Sequence, residues 1–253
     1  MKLLLFDVDG TLCESGKIIS NKIANTLNYL IKNNLKIGIV GGGTHDKILL
    51  QLNNTIYPEY IFSECGSVYH FLNKDNNSYT LINKNNLRLE DEYIKINSLV
   101  KTALQYISQV SYFISGNFID LRNGLIYISL VGMSANDDER TNFIELDKIH
   151  KYRNELIDIL QKQAIELEIN DYIEISLGGS VGIAVYPKKW NKIQVLNWLS
   201  PEITEIHFFG DKYLPGGNDY ELINSDKIIP HCVDSPDDTF EKLHHLLNNL
   251  IDN

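Results

Sequence analysis

The feature that most constrains the fold is the apolar run LLLFDVDGTL at residues 3–12. Its continuous apolar start is typical of a strand that is buried on both faces of a parallel sheet. The run ends in two carboxylates one residue apart, Asp7 and Asp9, which are followed by Gly10 and Thr11. Because burying a carboxylate without a partner is costly, these side chains must meet a cation, a set of N–H donors or water.

The opening third of the chain has a strand–helix–strand pattern. Strands are predicted at residues 3–9, 36–40 and 60–62, and helices at 21–33 and 45–53. Alternation of this kind predicts a parallel sheet with the functional side chains at the carboxyl ends of its strands.

The middle of the chain lacks this alternation of single strands and helices. Strand-like patterns occur at residues 118–131 and 172–187, and helical patterns at 93–108 and 144–167. Such runs predict an α+β insert between two parts of one α/β core. The expected bounds are 1–80 for the first part of the core, 81–185 for the insert and 186–253 for the second part of the core.

The composition limits the classes of partner. The 253 residues carry a net charge of −10 and show no basic face, which argues against nucleic acid as a partner. No apolar run approaches the roughly 18 to 20 residues needed to span a bilayer, which argues against a membrane protein. The first residues lack a secretory signal pattern, so a cytoplasmic location with reduced thiols is expected at Cys13, Cys65 and Cys232.

The spacing of Asp7 and Asp9 suggests metal-dependent chemistry. Side chains repeat every two residues in a strand, so both carboxylates lie on one side if the strand stays regular there. Paired carboxylates suit Mg²⁺, a hard cation that prefers oxygen ligands. A carboxylate beside Mg²⁺ is also able to attack phosphorus, while a second one exchanges protons with the incoming or leaving oxygen. Taken alone, the sequence also fits a calcium-type loop or a simple turn.

A second acidic group follows another predicted strand. The segment EITEIHFFGD at residues 202–211 predicts an apolar strand that stops at Asp211. The Gly-rich turn after it brings Asn218 and Asp219 back toward the same sheet edge. These carboxylates supply the further oxygen ligands that a Mg²⁺ site requires.

Phosphate contacts are predicted from two other segments. The turn GGGT after the second strand offers backbone amides, as at Gly42, or the Thr44 hydroxyl to a phosphate. A lysine is expected to neutralise phosphate charge. Lys192, just before an apolar helix, is the candidate, with Lys188 and Lys189 as rivals.

Several segments together resemble one family. They are FDVDGTL at 6–12, FSECGSVYH at 62–70, FIDLRNGLIYISLVG at 118–132, VYPKKWNK at 185–192, FFGDKYLPGGNDYEL at 208–222 and VDSPDDT at 233–239. With these motifs the chain resembles the haloacid dehalogenase-like phosphotransferases that carry an α+β cap and, within them, the eukaryotic-type phosphomannomutases. The resemblance implies a Rossmann-like parallel-sheet core with an inserted α+β cap domain.

The same resemblance implies a role for individual residues. It implies Asp7 as the nucleophile, Asp9 as the general acid and base, and Lys192 as the residue that contacts the phosphoryl group. It implies Asp211 and the Asp9 backbone carbonyl as Mg²⁺ ligands, with Asp219 orienting the lysine or the waters of the metal. Arg122 and Arg140 are implied to bind the distal phosphate. The implied reaction interconverts mannose 6-phosphate and mannose 1-phosphate through an aspartyl-phosphate. A hexose 1,6-bisphosphate as activator and a homodimer formed through the cap are also implied.

The sequence departs from the family at expected substrate contacts. Met133 stands where the family has an arginine, and Gly182 and Ala184 stand where it has a serine and an aspartate. Shortly after the Asp-x-Asp-Gly-Thr loop, where the family has an arginine, only Lys17 is present. Two alternatives therefore stay open: a sugar-phosphate phosphatase of the same fold with a diverged cap, and a catalytically silent dimeric binding protein.

Overall fold

The computed structural model describes residues 1–251, and the side chains of residues 1–247. The chain forms two compact units, of which the first consists of residues 1–84 and the chain from Lys189 onward, and the second of residues 85–188. Within the described residues, no helix is both long enough and apolar enough to cross a membrane.

The helices and strands follow in chain order. The first segment contains β1 (Lys2–Phe6), α1 (Asn21–Lys32), β2 (Lys36–Val40), α2 (His45–Gln51), β3 (Tyr60–Ser63), β4 (Val68–Asn73) and β5 (Ser78–Lys84). The second unit contains α3 (Tyr93–Ile107), β6 (Ile119–Leu121), β7 (Ile126–Ser129), α4 (Asp137–His150), α5 (Tyr152–Glu166), β8 (Ile173–Gly178) and β9 (Gly182–Pro187). The last segment contains β10 (Glu205–Gly210), α6 (Tyr220–Ile223), β11 (Ile229–Cys232) and α7 (Pro236–Ile251).

The first unit is built on a seven-stranded sheet in the order β11-β10-β1-β2-β3-β4-β5. The strands from β11 to β3 run parallel, and β4 and β5 add an antiparallel edge. In the register of the sheet, Phe6 at the end of β1 lies beside Phe209 on β10 and Ile39 on β2. The carboxyl ends of these three strands therefore share one edge of the sheet, as the sequence pattern predicts.

Both faces of this sheet are covered. On β1, Leu4 and Phe6 pack in one cluster with residues of α1, α2 and α7. Leu3 and Leu5 belong to a second cluster, which includes Val195 and residues of α6. Burial on both faces explains why the sequence of β1 is apolar almost without interruption. Each fully buried Leu or Phe side chain contributes about 1.5–3 kcal/mol to the free energy of unfolding.

The hairpin of β4 and β5 was not predicted from the sequence. Its turn is the polar segment NKDNN at residues 73–77, which by itself predicts only a surface loop. β5 is an edge strand with no buried residue, so it lacks the apolar alternation that signals a strand.

The second unit contains a four-stranded antiparallel sheet in the order β6-β7-β9-β8. One face is apolar and buried, with Ile126 and Ile128 on β7 opposite Val185 and Ile183 on β9. α5 packs against β8 and β9, and α3 packs against α5. This antiparallel sheet with its helices is the α+β insert that the sequence predicts.

The helical stretch predicted at 144–167 is wrong in its bounds, because the structure has two helices there. α4 begins at Asp137, where Asn136 and Glu139 form a capping box, and α5 begins after Lys151. Lys151 adopts a left-handed conformation with φ of 59°, which ends one helix and redirects the chain into the next. The acidic segment at residues 137–139 forms the first turn of α4, where carboxylates are favoured.

Candidate active site

Three carboxylates meet at the carboxyl edge of the first unit's sheet. Asp7 follows β1, its backbone N–H donates to the Phe209 carbonyl at 2.9 Å, and Asp211 follows β10. Asp219 returns to the same place after the turn at residues 212–218. One oxygen from each of Asp7, Asp211 and Asp219 lies within 4.8 Å of the other two.

Lys192 lies between two of these carboxylates. It begins a short 3₁₀ helix, Lys192–Asn197, and its side chain is completely buried. The Nζ atom donates to Asp7 Oδ1 and, at 2.6 Å, to Asp219 Oδ1. The rival lysines Lys188 and Lys189 are exposed and take no part in this cluster.

The electrostatics of the cluster follow from burial. Burial raises the pKa of Asp7 to about 8, opposed by the charge of Lys192 and supported by the charges of Asp219 and Asp211. For Lys192, burial lowers the pKa but the two neighbouring carboxylates outweigh it, so the pKa is raised and the lysine stays charged. Burial likewise raises the pKa of Asp211.

The cluster has the properties of a divalent cation site. Three carboxylates face one buried cation, Lys192, while the Lys212 side chain that pairs with Asp211 is 63% exposed. Asp211 Oδ1 is buried and has no hydrogen-bond partner among the described residues. Three acidic groups that share one buried cation, together with an unpartnered carboxylate oxygen, offer the oxygen ligands that a hard cation takes.

The glycine of the Asp-x-Asp-Gly-Thr loop is required by the same cluster. Gly10 has φ of 93°, which glycine adopts readily and other residues rarely do. A Cβ atom at this position would lie 2.3 Å from Asp211 Oδ2. The loop therefore approaches Asp211 closely only because it has no side chain there.

Asp9 is not part of the carboxylate cluster. β1 ends at Phe6, so the strand does not stay regular through Asp9, and the expectation that both side chains face one metal is corrected. The Asp9 carboxylate accepts hydrogen bonds from Gln51 Nε2 and the Gly16 backbone N–H, each at 2.8 Å. Its side chain is 36% exposed, so it is accessible as well as oriented.

Two further contacts that hold the site, besides the one between Gln51 and Asp9, were not predicted from the sequence. The Thr239 hydroxyl of α7 donates to the Thr11 carbonyl at 2.7 Å and ties that helix to the loop after Asp9. Gln194 Nε2 donates to the Cys65 carbonyl at 2.9 Å, which ties the helix of Lys192 to the loop after β3. Sequence periodicity contains no signal for partners this far apart in the chain.

The predicted phosphate contacts of the first unit are placed as follows. Gly42 is half-buried in the turn after β2. The Thr44 side chain is the N-cap of α2, where its hydroxyl accepts from the Lys47 backbone N–H at 3.4 Å. Asn218 is exposed, immediately before the buried Asp219.

The predicted cap arginines both belong to the second unit. Arg122 Nε donates to Asp120 Oδ2 at 2.7 Å. Arg140 donates to two backbone carbonyls, those of Ala135 at 3.0 Å and Met133 at 3.1 Å. Arg140 of α4 therefore lies beside the backbone of Met133, the position where the resemblance implies an arginine.

Comparisons of sequence place this chain among known enzymes. The model of the eukaryotic phosphomannomutase family matches residues 23–249. The phosphomannomutase of Saccharomyces cerevisiae is 38% identical over 251 residues, which are 97% of this chain and 94% of that protein. The phosphomannomutase of Arabidopsis thaliana is 38% identical over 243 residues, with 95% and 94% of the two chains covered.

Comparisons of structure lead to phosphatases with the same fold. The Plasmodium falciparum IMP-nucleotidase matches with a TM-score of 0.67 at 18% identity, over 98% of this chain and 68% of that one. A trehalose-6-phosphate phosphatase related protein matches with a TM-score of 0.59 at 15% identity, over 99% and 100%. The predicted fold class, a haloacid dehalogenase-type parallel-sheet core with an α+β cap, is therefore confirmed. The sequence comparisons are more specific than the structural ones and show that the chain belongs to the eukaryotic phosphomannomutase family.

Proposed function

We propose that this enzyme of the phosphomannomutase type interconverts mannose 6-phosphate and mannose 1-phosphate through an aspartyl-phosphate on Asp7. One observation carries the proposal: the buried Lys192, held between Asp7 and Asp219 beside Asp211, in a chain of this family. A nucleophilic carboxylate needs a fixed positive neighbour to approach an anionic phosphoryl group. We further propose that the first unit, residues 1–84 and the chain from Lys189 onward, functions as the core domain and the second unit, residues 85–188, as the cap domain. The expected bounds at 80 and 185 shift because β5 continues to Lys84 in the sheet of the first unit.

The proposed reaction uses Asp7 and Asp9 in turn. With Asp7 phosphorylated, the free hydroxyl of the hexose monophosphate gives its proton to Asp9 and attacks the phosphorus, so the bond from phosphorus to the Asp7 oxygen breaks and a hexose bisphosphate forms. After the bisphosphate reorients, an Asp7 oxygen attacks its other phosphorus, the bond from that phosphorus to the sugar oxygen breaks, and that oxygen takes the proton back from Asp9. The hydrogen bonds from Gln51 and Gly16 orient Asp9 for both steps.

The cofactor we propose is Mg²⁺. Asp7, Asp211 and the Asp9 backbone carbonyl are the proposed ligands, and Asp219, whose carboxylate accepts from Lys192 and from the Lys212 backbone N–H, orients the lysine or metal-bound waters. When bound, Mg²⁺ neutralises part of the charge on the phosphoryl group. The unpartnered Asp211 Oδ1 supports this assignment.

We expect Mg²⁺ to reverse a pH-dependent loss of stability. Without metal, the free energy of unfolding should fall as pH rises from about 4 to about 8. The reason is that folded Asp7, with pKa of about 8, keeps a proton that the unfolded chain, with pKa of 3.8, releases. Because Mg²⁺ binds the ionised carboxylates, its stabilising effect should grow over the same range. Thermal unfolding with EDTA and with Mg²⁺ at several pH values measures both effects.

The Asp7→Asn variant is the control, since it removes the titrating group and should flatten the pH dependence in EDTA. Unfolding temperatures that are the same with and without Mg²⁺ at every pH would contradict the assignment of the cation site.

The proposed substrate contacts are the following residues. Arg122 and Arg140 bind the phosphate that is not transferred, and the Gly42 amide, the Thr44 hydroxyl and Asn218 contact the transferred phosphoryl group or the sugar. A hexose 1,6-bisphosphate is the proposed activator, because it is able to phosphorylate Asp7 before the first turnover. The proposed assembly is a homodimer formed through the cap.

A phosphatase is the second candidate. It is favoured by Met133, Gly182 and Ala184, which replace expected substrate contacts in the cap. Each lost charge-assisted hydrogen bond costs about 1.5–3 kcal/mol, so weaker substrate capture would let water reach the aspartyl-phosphate.

The test follows two products at once. Purified protein receives mannose 1-phosphate, Mg²⁺ and a trace of glucose 1,6-bisphosphate, and mannose 6-phosphate and free phosphate are measured together. We expect mannose 6-phosphate to form faster than phosphate. Phosphate as the main product would support the phosphatase instead. If neither product forms, the remaining alternative is a catalytically silent binding protein.

A further inference from the structure

Tyr127 of the cap is packed against two glycines. It lies on β7 directly opposite Ala184 of β9, and its hydroxyl donates to the Gly178 carbonyl at 3.1 Å. A Cβ atom on Gly182 would lie 2.4 Å from the Tyr127 ring, and one on Gly178 would lie 2.9 Å from it. The tyrosine ring therefore occupies the space of the side chains that positions 178 and 182 lack.

The Tyr127 ring also contacts the side chain of Arg122. The guanidinium carbon of Arg122 lies over the Tyr127 ring, 4.9 Å from its centroid. Asp120, which is the β6 residue opposite Tyr127 in the sheet, accepts from Arg122 Nε at 2.7 Å. The guanidinium is thus held from two directions, by an aromatic face and by a carboxylate.

Positive charge is concentrated around this tyrosine. Arg122, Arg140 and Arg153 are all near enough for their charges to lower the pKa of Tyr127, although burial outweighs them and raises it. Arg153 is itself anchored, since its Nε donates to Asp147 Oδ2 at 2.7 Å and a terminal nitrogen donates to the Gly179 carbonyl at 3.1 Å. The Tyr127 phenol therefore lies within the electrostatic influence of three guanidinium groups.

We propose that Tyr127 is a positioning residue, which holds the Arg122 guanidinium in the orientation that binds the phosphate of the substrate. The identity of that ligand rests on the proposed function. An arginine side chain loses rotamer freedom when it binds, and an arginine that is already ordered loses less. The ring supplies this order, and glycine at position 182 is the condition for the ring to lie there.

The Tyr127 ring explains why position 182 is a glycine in this chain, where the resemblance implies a serine. Any side chain there would displace the Tyr127 ring and, with it, the support of Arg122. Tyr127 and Gly182 form one structural unit, so a change at either position should have the same effect on phosphate binding.

The test measures KM and kcat separately for mannose 1-phosphate. Tyr127→Leu should raise KM about two- to thirtyfold with kcat little changed, because a cation–π contact contributes about 0.5–2 kcal/mol to binding. Tyr127→Phe keeps the ring and should return KM to within about threefold of wild type. Gly182→Ala should raise KM as Tyr127→Leu does.

Two comparisons separate positioning from a merely structural role. In an Arg122→Gln background, Tyr127→Leu should add no further increase in KM, since the residue through which it acts is gone. Tyr112→Leu is the matched control: this cap tyrosine packs against Phe143 and Tyr152, so the variant loses stability without a change in KM. An equal increase of KM with and without Arg122 would overturn the inference.

The inference and the proposed function are tested apart by equilibrium binding. Affinity for mannose 1-phosphate is measured by calorimetry in the Asp7→Asn background, with and without Tyr127→Leu. Weaker binding with Tyr127→Leu supports the inference even if wild type converts no sugar phosphate, a result that would overturn only the proposed function. Conversion by wild type with an affinity that is independent of Tyr127 would overturn only the inference.

Discussion

Replacing Asp7 by asparagine should lower kcat for mannose 1-phosphate by about ten-thousandfold or more, which is the scale of loss when a nucleophile is removed. An amide oxygen does not form the aspartyl-phosphate, so no other residue of the cluster is expected to compensate. The variant should nevertheless fold. Burial already makes the charged form of Asp7 unfavourable, and Lys192 keeps Asp219 as a partner at 2.6 Å. Steady-state kinetics and thermal unfolding measure the two quantities.

The matched control is Asp226→Asn, which changes an exposed carboxylate of the same unit. We expect its kcat to equal that of wild type. If Asp7→Asn kept more than a small fraction of the activity, phosphoryl transfer through Asp7 would be contradicted, whereas a fall in both activity and unfolding temperature would point to a structural role.

Replacing Lys192 by methionine should cost both stability and activity. The free energy of unfolding is expected to fall by about 3–5 kcal/mol, because two buried carboxylates, Asp7 and Asp219, lose their shared counter-ion. The loss should be smaller below pH 8, where Asp7 is protonated and needs no counter-ion, and should grow as pH rises above the Asp7 pKa of about 8. Urea denaturation at acid and at alkaline pH measures this difference.

Activity should fall about a hundred- to a thousandfold in the same variant, because a fixed positive charge no longer stabilises the phosphoryl group in the transition state. Lys227→Met replaces an exposed lysine and should change neither quantity. An unfolding free energy of Lys192→Met that matches wild type at all pH values would contradict the buried ion-pair arrangement.

The strand ends of the core were predictable from the sequence because the cause is local. A strand buried on both faces needs a continuous apolar run, and such runs end visibly at Asp7 and at Asp211. Parallel strands then bring their carboxyl ends to one edge, so the meeting of Asp7 with Asp211 follows from the fold class. Lys192 was found by its place before an apolar stretch, but its complete burial was not predictable.

Contacts between distant segments were not predictable for a physical reason. Gln51 reaches Asp9, and Thr239 reaches Thr11 from the other end of the chain. Such polar pairs leave no periodic pattern, since each needs only one suitable side chain at one position. The expectation that the side chains of Asp7 and Asp9 lie on one side of a regular strand was wrong, because the strand ends at Phe6.

The cap shows the same limit in another form. In the sequence, Gly182 is a position where the resemblance implies a serine. In the structure it is the space into which the Tyr127 ring fits, and that ring lies under the Arg122 guanidinium. Which residue fills a space depends on the neighbouring strand, and strand register is not readable from a single alternating segment.

The most direct test of the account is the fate of the phosphoryl group on Asp7. The enzyme is mixed with Mg²⁺ and glucose 1,6-bisphosphate labelled in its phosphates, quenched in acid and digested, and a second sample is chased with unlabelled mannose 1-phosphate before quenching. The account predicts label on the peptide that contains Asp7, and its transfer to sugar bisphosphate in the chase. Label on another peptide or on none, or release of the label only as free phosphate, would contradict it.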